Sequence, residues 1–260
     1  MPSRGVCGNE VVVKARLIAH RCGSAYGPDS SRTALRATLA RGGLAGVETD
    51  VCLTRDGGLV CLHDTYLPMA TTVAGWAHER AAADVLAGQL LDREGRPSGE
   101  GPLLVEELLD AVPTGLGVQL DVKAHADRAL ARRTVTALAA VLARRADAGR
   151  VEVLSFHAAA VEQAAAHGLA ARLVIWADYA PAALARWATE RALCGVCVEH
   201  FLLTRPLVTA MRDAGLGLTT GTVNHAAPAA RALAHGPDAL TTDRPHELAA
   251  ELAPRQRLAA

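Results

Sequence analysis

Short apolar runs, each closing on polar residues and followed by an Ala/Leu/Arg-rich stretch of helical character, recur along most of the chain. They occupy residues 16–20, 46–51, 117–122, 151–156, 172–176, 195–199, 217–223 and 239–243, eight in all. Helical segments at 127–148, 158–167, 181–193 and 206–214 separate them. Strand-length runs alternating with helices predict repeated βαβ units and a parallel sheet. Eight such units in about 250 residues match a closed (β/α)8 TIM barrel. An open doubly wound sheet would announce itself by a Gly-rich phosphate loop after its first strand. The corresponding Cys22-Gly23-Ser24-Ala25-Tyr26-Gly27 lacks the G-x-G-x-x-G order.

Two segments break the alternation. Residues 59–63 follow the turn Asp56-Gly57-Gly58 and read as a hairpin return from the second strand. Residues 65–102 are mixed, with 92–101 as the clearest loop, and predict a small insertion after strand 2 that lies over the barrel mouth. The expectation is therefore one domain over residues 1–260, with its core at about 16–250.

Composition narrows the picture. Half the residues are hydrophobic but only 3% are aromatic, so the core must be built from Ala, Val and Leu. With 27 basic and 27 acidic residues and no long basic run, nucleic acid and anionic membrane surfaces are poor electrostatic partners. Among the cysteines only Cys194 and Cys197 stand in a C-x-x-C spacing, and no second pair completes a zinc site; buried free thiols are expected. Residues 1–16 lack a signal-peptide pattern and no run reaches the roughly 18 apolar residues of a transmembrane helix. A cytoplasmic protein without membrane insertion is expected, and its oligomeric state is not readable.

The candidate chemistry is concentrated near the N-terminus. His20-Arg21 and His63-Asp64 bracket a pair of carboxylates on alternate residues, Glu48-Thr49-Asp50. Side chains two apart on a strand share a face, so Glu48 and Asp50 can converge on one cation. Asp121, two positions before Lys123, adds a third carboxylate from the neighbouring strand. Three hard oxygen donors select Mg2+ or Ca2+, with Mn2+ also suitable, over zinc. These residues lie at or near strand ends, where barrel enzymes place their active sites.

In that order the residues resemble the glycerophosphodiester phosphodiesterase family. The likeness runs through His20-Arg21, Glu48-Thr-Asp50-Val51, Thr54-Arg-Asp56-Gly57, His63-Asp64 and Asp121-Val-Lys123. It continues through Ser155-Phe156, Thr222-Val-Asn224 and Thr242-Asp-Arg-Pro245. The resemblance implies a phosphoric diester hydrolase acting on a small glycerophosphodiester, with Glu48, Asp50 and Asp121 holding one divalent metal. It further implies that His20 and His63 are the general base and acid, and that Arg21 and Lys123 neutralise phosphoryl oxygens. The family-like nucleophile is the substrate's own vicinal hydroxyl, forming a cyclic phosphate that water then opens. Asp121 replaces the usual glutamate, Gly221 the usual Trp before Thr-Val-Asn, and Cys22 the usual Gly after His-Arg. Gly221 is expected to widen the pocket, and Cys22 to narrow its phosphate side.

Other residues carry weaker signals. Glu199, His200 and His157 are strand-end polar residues, Trp176 reads as an aromatic wall or a core residue, and Asp64 as a loop-fixing side chain. Asp243 and Arg244 are expected to tie the last strand to the barrel rim, and Asn224 to bond substrate or cap a helix. Two rival functions remain: a lyase of the sphingomyelinase D type that stops at the cyclic phosphate, and a barrel that binds a phosphorylated ligand without turnover.

Overall fold

In the computed structural model, which describes residues 16–258, the apolar runs lie side by side as parallel strands. They are β1 (Leu17–Ala19), β2 (Gly46–Leu53), β4 (Gly117–Val122), β5 (Val151–Ser155), β6 (Ala170–Ile175), β7 (Gly195–Glu199), β8 (Gly217–Gly221) and β9 (Ala239–Thr242). The short β3 (Leu59–Val60) returns antiparallel to β2, as the Asp56-Gly57-Gly58 turn predicts. Because β1 pairs in parallel with both β2 and β9, the eight parallel strands close into a ring with β3 outside it. Cys7 and the residues bearing on a leader segment lie outside the described part.

Helices α1 (Arg32–Arg41), α4 (Arg128–Leu142), α5 (Ala158–Ala166), α6 (Pro181–Glu190), α7 (Arg205–Asp213), α8 (Ala226–Leu233) and α9 (Pro245–Leu258) follow successive strands. After β2 the covering helix is displaced to α3 (Val105–Ala111), behind the insertion that carries the short α2 (Ala82–Leu86). Capping residues define several starts: Ser31 Oγ accepts from the Ala34 N–H, Asp127 from Ala129 and Leu130, and Thr204 from Leu207. Pro181 and Pro206 occupy first turns, where no amide donor is missed.

The main core is the Ala/Val/Leu shell between ring and helices. The insertion has a separate small core of Cys52, Val60, Leu62, Leu67, Ala77, Val85 and Leu90. The floor of the barrel is polar instead. Glu152 accepts hydrogen bonds from Gln119 Nε2 (2.9 Å) and from Arg172 Nε (3.0 Å) and Nη2 (2.9 Å). Gly195 and Gly217 make room for that guanidinium: a Cβ on either would lie 2.4–2.5 Å from Arg172 Nη1.

Candidate active site

The site begins where β1 ends. Arg21 and Cys22 take left-handed φ values of 46° and 63°, a costly conformation for residues with a Cβ. Three hydrogen bonds hold this turn: Gly23 N to His20 O (2.8 Å), Ser30 N to Arg21 O (3.0 Å) and Arg21 N to Glu48 Oε2 (2.9 Å). His20 lines the cleft at the strand ends, and Arg21 folds back so that its Nε lies 3.2 Å from Asp50 Oδ2. Its Nη1 donates to Asp29 at 2.5 Å. Cys22 points the other way, fully buried in the main core, so it does not narrow the cleft as its sequence position suggests.

Parallel pairing sets Asp50 directly beside Asp121 and Glu48 beside Gln119. Oxygens of Glu48, Asp50 and Asp121 therefore come within 4.8 Å of one another, all three buried. Lys123 Nζ bridges Asp50 Oδ1 (2.9 Å) and Asp121 Oδ2 (2.7 Å) and stands 5.2 Å over the Phe156 ring. Asp121 Oδ1 is buried without a hydrogen-bond partner among the described residues, and Asp50 Oδ2 faces the Arg21 Nε at 3.2 Å without hydrogen-bond geometry. Burial and the Asp50 carboxylate push Glu48 up to about 7. Burial also raises Asp121; in Asp50 the same penalty is outweighed by Lys123 and Arg21, and its pKa falls. Three buried carboxylates packed this closely, with Asp121 Oδ1 unpartnered, fit a hard divalent cation.

His20 is held from behind. Its Nδ1 lies 2.6 Å from Asp243 Oδ1, while Nε2 is 3.9 Å from Glu48 Oε2. Asp243 is fixed in turn: Asn224 Nδ2 donates to its Oδ2 (2.5 Å), and its own N–H donates to Asn224 Oδ1 (2.9 Å). Burial alone would lower the His20 pKa, but the Asp243 bond and the nearby Glu48 and Asp50 outweigh it and the net shift is upward. Asp243, despite desolvation, is held down to about 2 by His20 and Asn224. Asp243 thus does more than tie the last strand to the rim: with Asn224 it holds the histidine. Arg244 does serve the rim, bonding Asn224 O (3.4 Å) and Glu251 (2.5 Å).

His63 stands at the entrance, lining the two clefts that flank the central one. Asp64 Oδ1 lies 3.3 Å from its Nδ1. Across the ring, Leu154, Phe156, Val174, Cys197 and Glu199 form the far wall of the central cleft. Gly221 lines this cleft, and a Cβ there would lie 2.7 Å from the Cβ of Thr241. Trp176 is neither core nor cleft wall but 66% exposed at the rim. His157 caps α5 through Nδ1, and His246 stacks on Tyr26 and bonds the Thr38 carbonyl.

Comparison with known proteins places this arrangement. Glycerophosphodiester phosphodiesterase 1 of Mus musculus is 34% identical over 119 residues, covering 44% of this chain and 35% of that protein. The Homo sapiens protein of the same name is 31% identical over 116 residues, 43% of this chain and 35% of its own length. The chain thus spans about a third or less of the curated relatives it matches. The fold is shared with a phosphodiesterase from Oleispira antarctica solved with its product sn-glycerol-3-phosphate. That match has a TM-score of 0.80 at 23% identity over 92% of this chain and 96% of the other. A glycerophosphodiester phosphodiesterase from Parabacteroides distasonis superposes with a TM-score of 0.76 at 20% identity, over 93% and 98% of the two chains. The sequence model of the glycerophosphoryl diester phosphodiesterase family matches residues 20–247, and the chain belongs to that family.

Proposed function

We propose that this protein hydrolyses a glycerophosphodiester or a related small phosphodiester to an alcohol and a phosphomonoester. The observation that carries the reading is the buried cluster of Glu48, Asp50 and Asp121 carboxylates, lining a cleft bordered by His20 and Lys123. Glu48, Asp50 and Asp121 would hold one divalent cation, Mg2+, Ca2+ or Mn2+. When bound it supplies Lewis-acid stabilisation of charge on the phosphoryl oxygens.

The chain's own groups do the rest. Lys123, the cation on the cleft wall, meets phosphoryl charge directly; Arg21, clamped between Asp29 and Asp50, contributes positive charge from behind the carboxylates. His20, with Nδ1 committed to Asp243, presents Nε2 to the cleft, where it gives or takes one proton. His63 at the entrance handles the other. The upward shift of His20 suits it to protonate a leaving alkoxide near neutral pH.

Metal-supplemented turnover of glycerophosphocholine, followed by phosphorus NMR, tests the proposal. A phosphomonoester must accumulate, and His20→Ala and His63→Ala must each abolish it while the fold persists. A cyclic phosphate that persists would instead mean a lyase. Tight ligand binding without turnover under any of the three cations would mean a binding protein.

A further inference from the structure

Of the two clefts that flank the central one, the one at the ends of β4 and β5 holds polar groups that the proposed reaction does not use. Lys123 and Phe156 line both this cleft and the central one, so they form the partition between them. His63, Asp64 and Thr65 border it from the segment that follows β3, and His125 and His157 from just beyond β4 and β5.

The polar groups of this cleft divide into those already committed and those left over. Lys123 Nζ is committed to Asp50 (2.9 Å) and Asp121 (2.7 Å), and His63 Nδ1 lies 3.3 Å from Asp64 Oδ1. His157 is different. Its Nδ1 accepts from the Ala159 N–H at 3.3 Å, so the ring proton resides on Nε2 and that nitrogen remains a donor. Thr65 is only 3% exposed, and its Oγ1 is buried with no hydrogen-bond partner among the described residues. A buried hydroxyl without a partner is costly, and on the wall of a cleft it points to an acceptor that the protein does not itself supply.

Helix α5 adds a third contribution. Its nine residues start directly after His157, and no acidic residue stands in its first turn, so the positive end of its dipole meets the cleft uncompensated. A hydroxyl, an imidazole N–H and a helix N-terminus together select an oxyanion. An ammonium group would find only Asp64, the one carboxylate on this wall, and His63 already stands against it.

A diester whose phosphorus sits beside Lys123 in the central cleft has one substituent that can cross the Lys123–Phe156 partition. We infer that the cleft at the ends of β4 and β5 is the subsite for an acidic alcohol moiety, whose terminal carboxylate or phosphomonoester accepts hydrogen bonds from Thr65 Oγ1 and His157 Nε2 at the start of α5. Its use in turnover rests on the phosphodiesterase reading above, whereas anion binding there does not.

Three diesters that differ at one end test this: glycerophosphoglycerol, its counterpart ending in a carboxylate, and its counterpart ending in a phosphomonoester. Each is assayed for kcat/KM with divalent cation and for affinity by titration calorimetry in chelator. At least one acidic diester must exceed the neutral one at least about tenfold in kcat/KM, and Thr65→Val and His157→Asn must each cut that ratio at least about fivefold, since each removes one hydrogen bond to a charged group. Valine keeps the shape of threonine and asparagine keeps the cap of α5, and melting curves check that both variants are folded. A preference for the carboxylate alone, or for the phosphomonoester alone, supports the subsite and names its ligand. Similar values for all three diesters, or a preference that both variants leave intact, overturns it. If no diester is hydrolysed, the phosphodiesterase reading fails, and the affinities in chelator decide the subsite by the same two ratios.

Discussion

Replacing Asp243 by asparagine tests whether the pair it forms with His20 matters to the chemistry. In the wild type Asp243 accepts at both oxygens, from His20 Nδ1 at 2.6 Å and from Asn224 Nδ2 at 2.5 Å. Asn224 cannot turn its amide around, because its Oδ1 already accepts from the Asp243 N–H (2.9 Å) and from Thr242 Oγ1 (3.0 Å). An asparagine at 243 must therefore give its carbonyl oxygen to Asn224 and its NH2 to His20. That NH2 forces His20 Nδ1 to accept, which leaves the proton on Nε2 and removes its capacity as a base. It also opposes the protonated ring, whose upward shift depends on Asp243, so the acid role suffers as well. Loss of one positioned proton carrier costs about 10²- to 10⁴-fold in rate, or about 3–5 kcal/mol of transition-state stabilisation. Asp243→Ala removes the orienting bond without imposing the wrong tautomer, so it should be the milder lesion. The assay is kcat/KM for glycerophosphocholine at saturating divalent cation, with unfolding curves showing that both variants are folded. An asparagine variant within about fivefold of wild type, or one faster than the alanine variant, would refute the reasoning.

Three further outcomes are expected. A divalent cation should raise the melting temperature and a chelator should lower it, because the cation would meet the clustered carboxylates of Glu48, Asp50 and Asp121; Asp121→Asn should blunt the response, as read by scanning calorimetry. Gly195→Ala would put a Cβ 2.0 Å from the Gly217 carbonyl and 2.4 Å from Arg172 Nη1, so urea titration should show a loss of about 1–3 kcal/mol. Asp147 is held down to about 2 by hydrogen bonds from Arg145 and Arg150, against an ordinary value of 3.8. A depressed carboxyl stabilises the fold above its unfolded pKa, and that contribution disappears as pH falls from about 4 towards 2. Asp147→Asn should flatten that part of the stability curve, and an unchanged acid limb would count against it.

Most of the architecture was legible because it is local. Eight apolar runs of strand length, separated by helical segments, leave little choice but a closed parallel barrel, and the hairpin after Asp56-Gly57-Gly58 follows from its turn residues. The carboxylate triad was legible for a related reason: alternation within β2 puts Glu48 and Asp50 on one face, and parallel register puts Asp121 beside Asp50. What escaped depends on side-chain direction after a strand ends. Cys22 leaves the site because left-handed turns at Arg21 and Cys22 rotate it into the core, and a period-two pattern does not anticipate those φ values.

The support of His20 was hidden by distance rather than by geometry. Asp243 lies 223 residues away in the chain, and only the pairing of β1 with β9, Ala19 opposite Thr242, sets the two residues that follow those strands side by side. Closing the barrel and orienting the histidine are thus a single event. Loss of the last strand from the ring would release Asp243 from His20 before it disturbed Glu48, Asp50 or Asp121, which rest on β2 and β4. Hydrogen exchange at the β9 amides should therefore track activity in variants that weaken the β1–β9 seam, while the affinity for the divalent cation stays unchanged. Cation affinity falling in step with activity would show instead that the ring opens as one unit.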